Sequence, residues 1–165
     1  ASGQNGRPIL RFPATGDYLA YAATVVPGAT AASVLIVNEA AALYGSLVTG
    51  VTSGYFRYNV NGKGYWALFT SVRLDEYPTV MAASGWHLLI GIAGASYEIF
   101  DNGASLGTKA YAFSAGNTLV IGRSNTSGAE LSGGLAEIVI ANAAWSDAQR
   151  QAAEAASNTY WAVYA

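Results

Sequence analysis

Apolar residues run along this chain in short bursts, mostly alternating with polar ones, and Gly, Pro, Asn or Asp punctuates the gaps. A period of two is strand periodicity, and many short strands between turn signals predict an all-β sandwich. PILRF (Pro8–Phe12) and DYLAY (Asp17–Tyr21) come first, joined across Pro13-Ala14-Thr15-Gly16. ASVLIVNE (Ala32–Glu39) is almost unbroken in its apolarity, which predicts a strand at the sheet centre covered on both sides. Further strands are predicted at LYGSLV, GYFRYNV, GYWALFT, Thr79–Ala83, WHLLIGI, SYEIF, TKAYAF, TLVIG and LAEIVIA. In the last of these, alternation assigns Leu135, Glu137 and Val139 to one face and Ala136, Ile138 and Ile140 to the other.

Turn chemistry predicts three hairpins. Asn102-Gly103 follows SYEIF and Asp101, and Asn61-Gly62 separates GYFRYNV from GYWALFT; both dipeptides accept the positive φ of a type I′ turn. Ala93-Gly94-Ala95 divides WHLLIGI from SYEIF. A single helix is predicted, starting at Ser146, where Ser146 and Gln149 have the spacing of a capping box and Asp147 occupies the first turn. AQRQAAEAA continues it with strong helix formers. Its small residues Ala148, Ala152 and Ala155 are expected to let it lie close on a sheet. No repeat, linker or composition break interrupts residues 1–165, so one domain is expected, complete or as a piece of a larger surface protein.

Composition sharpens this picture. Hydrophobic residues make up 52% of the chain and charged ones only 11%, against a usual share of roughly 25%. The surface must be covered by Ser, Thr, Asn, Gly and Tyr, a skin that suits an extracellular or virion-surface protein or a subunit of an assembly. A net charge of −2 with scattered basic residues offers nucleic acid no electrostatic footprint. The absence of cysteine removes disulfides, thiolate metal sites and Cys nucleophiles. No apolar run reaches the ~18 residues of a membrane span, since Asn38 and Glu39 interrupt the greasiest stretch.

Several segments, in order, resemble one family. GGLAEIVIANAAWSDAQRQAAEA (Gly133–Ala155) is similar to the C-terminal signature of laminin-G-like, concanavalin A-like jelly rolls, a Gly-rich turn, a strand with an embedded Glu and a short helix. NGRPILRFPATGDYLAY (Asn5–Tyr21) resembles the family's opening strands, SGWHLLIGIAGASYEIFDNGASLGT its middle, and NTLVIGR the strand after it. Trp145 stands where Leu is usual, Pro13-Ala14 replaces an Asp-Gly, and a strand often found upstream is missing. The resemblance implies a concanavalin A-like jelly-roll sandwich of two antiparallel sheets with one short C-terminal helix. It also implies a non-catalytic member of a lectin-glucanase superfamily, in which calcium can be held by loop carboxylates; Asp17, Asp75 and Glu76 are the candidates here. No D-x-D-x-D-G run supports them, and neither a metal nor another cofactor is expected.

The chemistry points away from catalysis. Glucanases of this architecture carry paired acids in an E-x-D-x-x-E pattern that puts them on one strand face at the short separation retaining hydrolysis needs. The chain has no such set: Asp75 and Glu76 are adjacent, and Glu98 and Asp101 have opposing spacing. Glu137 is read as a partnered structural carboxylate ahead of a base or ligand. His87, the only histidine, is read as a packed or hydrogen-bonded imidazole ahead of a catalytic base.

The candidate ligand site lies in GYFRYNVNGKGYWALF (Gly54–Phe69). A two-residue Asn61-Gly62 turn sets Arg57 opposite Trp66, so Tyr55, Arg57, Asn59 and Trp66 are expected on one face. Aromatic planes beside a guanidinium and an amide suit a sugar, whose apolar faces stack while its hydroxyls take directed hydrogen bonds. The alternative is a cross-strand cation–aromatic pair stabilising a hairpin by about 0.5–1 kcal/mol. Two functions follow: a recognition or adhesion module for carbohydrate or a glycosylated surface, or a structural subunit such as a virion decoration, fibre or tail protein. For the second, Tyr160, Trp161 and Tyr164 in NTYWAVYA are expected either to close the domain's own core or to anchor a protein neighbour.

Overall fold

The computed structural model describes residues 4–12, 19–25, 31–40, 45–50, 55–60, 63–67, 85–110, 117–121 and 133–165. For the strands of the smaller sheet it describes the backbone. The predicted strand at Thr79–Ala83, the Asn61-Gly62 turn and the calcium candidates Asp17, Asp75 and Glu76 lie outside the described residues.

Eleven strands and one α-helix are described, the strands being β1 (Leu10–Phe12), β2 (Leu19–Val25), β3 (Ala32–Ala40), β4 (Gly45–Gly50), β5 (Tyr55–Val60) and β6 (Lys63–Ala67), then β7 (Gly85–Ala93), β8 (Ser96–Asp101), β9 (Ala104–Ala110), β10 (Asn117–Ile121) and β11 (Gly133–Ala141). The helix α1 spans Asp147–Trp161. Two antiparallel sheets result, ordered β1-β11-β3-β7-β8-β9 and β2-β10-β4-β5-β6. The all-β sandwich with one C-terminal helix is as the period-two pattern predicts. Asn102-Gly103, at φ 49° and 83°, closes the β8–β9 hairpin with Asp101 opposite Ala104, the expected two-residue turn.

β3 is the central strand in both senses. It pairs with β11 and β7, and Ala32 through Asn38 are all at most 1% exposed. Leu35 and Val37 face α1, joining Leu88, Ile90, Phe100 and Trp161 in one buried cluster. Val34, Ile36 and Asn38 face the other way, beside Leu89, Ile99 and Tyr97, and are buried as the inner layer of a sandwich must be.

The helix meets the sheet with a face other than the one expected. Ala148, Ala152 and Ala155 are exposed, while Arg150, Glu154, Ser157 and Trp161 are buried. These positions recur at helical spacing, so the buried stripe is real but half of it is charged. Arg150 lies 4.0 Å over the Phe100 ring and donates to Glu154 at 2.6 Å; the other Glu154 oxygen accepts from the Tyr164 hydroxyl, also at 2.6 Å. The two charges are tolerated because they satisfy each other and a third group. The capping box forms as predicted: Ser146 Oγ accepts from the Gln149 amide, and Gln149 Oε1 accepts from the Ser146 amide.

The chain before β1 is tied across the helix end. Gln4 donates to the carbonyl of Ala162, and Asn5 and Arg7 both donate to that of Tyr160. These last-turn carbonyls have no partner within the helix, so the strap supplies donors for them.

Candidate functional site

The register of β5 and β6 departs from the one expected. Val60 stands opposite Lys63, the register of a two-residue connection. Between Arg57 and Val60 the register shifts, so that Arg57 is opposite Tyr65 and Phe56 is opposite Trp66. One extra residue on one strand exchanges the faces of everything beyond it. Trp66 therefore shares a face with Phe56, and the expected pairing of Arg57 with Trp66 is corrected. Tyr55 (opposite Ala67) and Arg57 stay together and gain Tyr65, while Asn59 falls inside the irregular step. On the other side, β4 places Thr49 opposite Tyr55 and Ser46 opposite Arg57. Tyr65 was visible in the sequence as the neighbour of Trp66; only the shift brings it into the row.

A bulge also rewrites β11. Leu135 is opposite Asn38 but Glu137 is opposite Val37, leaving Ala136 as the extra residue. Leu135 and Glu137 thus lie on opposite faces, against the alternation expected from the sequence. Glu137 joins the helix side, where its carboxylate accepts from the Trp161 indole N–H at 3.0 Å. The acid braces the C-terminal helix, as the structural reading expected.

His87 is 2% exposed on the inner face of β7. Its Nδ1 lies 3.0 and 3.2 Å from the two carboxylate oxygens of Asp101, the hydrogen-bonded state expected for it. Asn38 is directly opposite His87 and fully buried, and its side-chain amide has no hydrogen-bond partner among the described residues. Among the described residues, no group of three or more His, Asp or Glu side chains could hold a metal ion.

The C-terminal aromatics divide. Trp161 is buried against Leu35 and Val37, and Tyr164 is half-buried with its hydroxyl on Glu154. Desolvation first, and then the hydrogen bond to Glu154, push the Tyr164 phenol well above its ordinary pKa. Trp161 and Tyr164 thus help to close the domain's own core. Tyr160 remains 49% exposed, with Arg7 stacked 3.6 Å from its ring centroid.

On the helix side of the larger sheet, sequence reasoning missed a second group. Arg11 on β1, Gly134 on β11, Glu39 on β3 and Trp86 on β7 are successive cross-strand partners in one row. Arg11 and Glu39 form an ion pair across the glycine between them, both partly exposed. Nothing in the local patterns of PILRF and ASVLIVNE shows that the two will meet, because the strands that carry them join only through β11.

No protein-family model and no curated protein sequence matches the chain. Solved structures do. The heptameric SAP-like pentraxin from Limulus polyphemus aligns with a TM-score of 0.62 and 17% identity over 82% of this chain and 76% of that one. The CBM40 domain of the Ruminococcus gnavus IT-sialidase, bound to α2,3-sialyllactose, aligns at 0.66 and 13% over 90% and 97%. The chain has a jelly-roll sandwich fold. The extracellular region of zebrafish Gpr126/Adgrg6 matches too, at 0.65 and 13%, over 87% of this chain and 22% of that one. At such identities the likeness carries the fold alone, so the jelly-roll sandwich with one C-terminal helix stands without assignment to laminin-G or any other single family. No helix among the described residues is long and apolar enough to cross a membrane.

Proposed function

We propose that the protein is a non-catalytic recognition module that binds carbohydrate or a glycosylated surface. The observation that carries this reading is the β5–β6 register, which lines up Tyr55, Arg57 and Tyr65 beside the small residues Ser46, Thr49 and Ala67. Aromatic rings and a guanidinium set among small side chains suit a ligand with apolar faces and hydroxyl edges. The opposite register positions, Val48, Phe56 and Trp66, are apolar and suit the inner layer. The lectin-like fold, which here includes a sialyllactose-bound domain, supports the same class of ligand by analogy. Absence of the E-x-D-x-x-E pattern from the sequence argues against hydrolysis of the bound sugar.

Glycan-array binding by the intact chain tests the reading. Tyr55→Ala and Arg57→Ala are each expected to weaken binding by about tenfold or more with an unchanged melting temperature. Trp66→Ala is expected to lower stability instead. A null result across a broad array would count heavily against the module.

An assembly role is the second reading, favoured by the exposure of Leu10 (50%), Val139 (38%) and Tyr160 (49%). Light scattering over a range of concentrations tests it, and a strictly monomeric protein removes it.

A further inference from the structure

We infer that the open edge of β11 beyond Leu135 pairs with the same edge of a second copy of this chain, joining two larger sheets across a two-fold axis at Val139. This rests on the assembly reading and deepens it by naming the surface and the partner.

β1 covers only the start of that edge. Its pairing runs from Phe12 opposite Gly133 to Leu10 opposite Leu135 and stops there, while β11 stays paired with β3 as far as Ala141. Burial follows the same boundary: Gly133–Leu135 are buried, and Ala136–Ala141 are half-buried or exposed. The chain before β1 turns away to the end of α1, where Asn5 and Arg7 donate to the Tyr160 carbonyl. A cavity of about 460 Å³ opens between Pro8–Leu10 on one side and Leu135–Ile138 on the other. Among the described residues, no other strand pairs with β11 here. Alternate residues of a strand aim their N–H and C=O groups at opposite neighbours, so every second residue beyond Leu135 has them on the open side.

Natural sheets protect such edges with Lys, Pro or a covering segment. AEIVIA (Ala136–Ala141) has neither Lys nor Pro and a single charge, and Val139 at its middle is 38% exposed. Its fit to itself identifies the cover. A two-fold axis across two antiparallel strands sets one residue opposite its own copy and pairs the rest symmetrically about it. With Val139 on the axis, Ile138 falls opposite Ile140 of the second copy and Glu137 opposite Ala141 of the second copy. Ile-Val-Ile reads the same in both directions, so each apolar side chain meets an apolar one on its own face of the joined sheet. The two Glu137 positions are then four residues apart along the strands, about 13 Å, which exceeds the screening length of about 8 Å. An axis at Glu137 would instead set the two carboxylates against each other.

Sedimentation equilibrium of the full chain from about 1 μM to about 1 mM tests this. A monomer–dimer equilibrium is expected. Val139→Lys, which puts two ammonium groups at the axis, should raise the dissociation constant by about tenfold or more. The chain has no cysteine, so Val139→Cys carries a single thiol. On the axis the two Cα atoms stand about 4.5–5.5 Å apart, within disulfide reach, and mild oxidation is expected to give a covalent dimer. Ala148→Cys, exposed on α1, is the control and should not cross-link under the same conditions. Circular dichroism checks that each variant is folded, and if the lysine variant unfolds the cysteine pair still decides. A dimer that Val139→Lys leaves intact, or equal cross-linking of the two cysteine variants, would overturn the β11 edge and leave the assembly reading to another surface. A strictly monomeric wild-type chain would remove both.

Discussion

Ala162 follows α1 in the left-handed conformation, φ 53° and ψ 55°, with its N–H on the carbonyl of Asn158 at 2.7 Å. Helices commonly end this way with glycine, which has no Cβ to strain there. Ala162→Gly is expected to stabilise by about 0.5–1 kcal/mol, raising the melting temperature by roughly 1–4 °C for a domain of this size. The Asn158 side chain holds the turn on the other side: Oδ1 accepts from the amides of Val163 and Tyr164 while Nδ2 donates to the Tyr164 carbonyl. Glu137 is the second residue whose role reduces to one bond. Glu137→Gln keeps an acceptor for the Trp161 indole and should cost little. Glu137→Leu strands that N–H and is expected to lose about 1–3 kcal/mol in denaturant unfolding. Equal losses for the two variants would mean that the negative charge matters beyond the hydrogen bond.

At the scale of the element, α1 is attached by chemistry that its sequence does not advertise. Its capping box was readable, because a cap is a local spacing of four residues. Its buried face was not: a pattern reading places alanines against the sheet and charges in water, and here Arg150 and Glu154 go inside because Phe100 and Tyr164 are there to receive them. Those two partners come from β8 and from beyond the helix end, and no window within AQRQAAEAA contains them. The arrangement has a pH signature. The folded-state pKa of Tyr164 lies above its ordinary value of 10.0. Below pH 10 both the folded and unfolded chains hold the proton, and the contribution is fully present. Above pH 10 the unfolded chain releases it first, so this part of the stability declines as pH rises. Wild-type stability is therefore expected to fall more steeply between about pH 10 and 12 than that of Tyr164→Phe. At neutral pH the variant should be less stable by about 1–3 kcal/mol. Parallel pH profiles for the two proteins would exclude the phenol as the source.

For the molecule as a whole, what could be read was whatever neighbours in sequence decide: strand periods, the Asn102-Gly103 turn, the burial of β3, the late helix. The register shifts escaped, among them one in the β5–β6 hairpin and one in β11, since a bulge is set by how two strands fit and leaves no mark in either alone. These two exchanged faces at the positions of greatest functional interest, moving Trp66 away from Arg57 and Glu137 away from Leu135. The row of Arg11, Gly134, Glu39 and Trp86 was invisible for a related reason, because β1, β11, β3 and β7 meet in an order the chain does not follow. A chain with 11% charged residues and a net charge of −2 then limits how the protein can recognise anything. Long-range attraction is weak, so the proposed recognition of carbohydrate is expected to come from stacking and short hydrogen bonds, neither of which salt screens strongly. Raising ionic strength from about 0.01 M to about 1 M shortens the screening length from roughly 30 Å to roughly 3 Å. Affinity for a neutral glycan is expected to change by less than about threefold over that range in a calorimetric titration. Loss of an order of magnitude would show that recognition is carried by unpaired charge, and would point to an anionic ligand on a different surface.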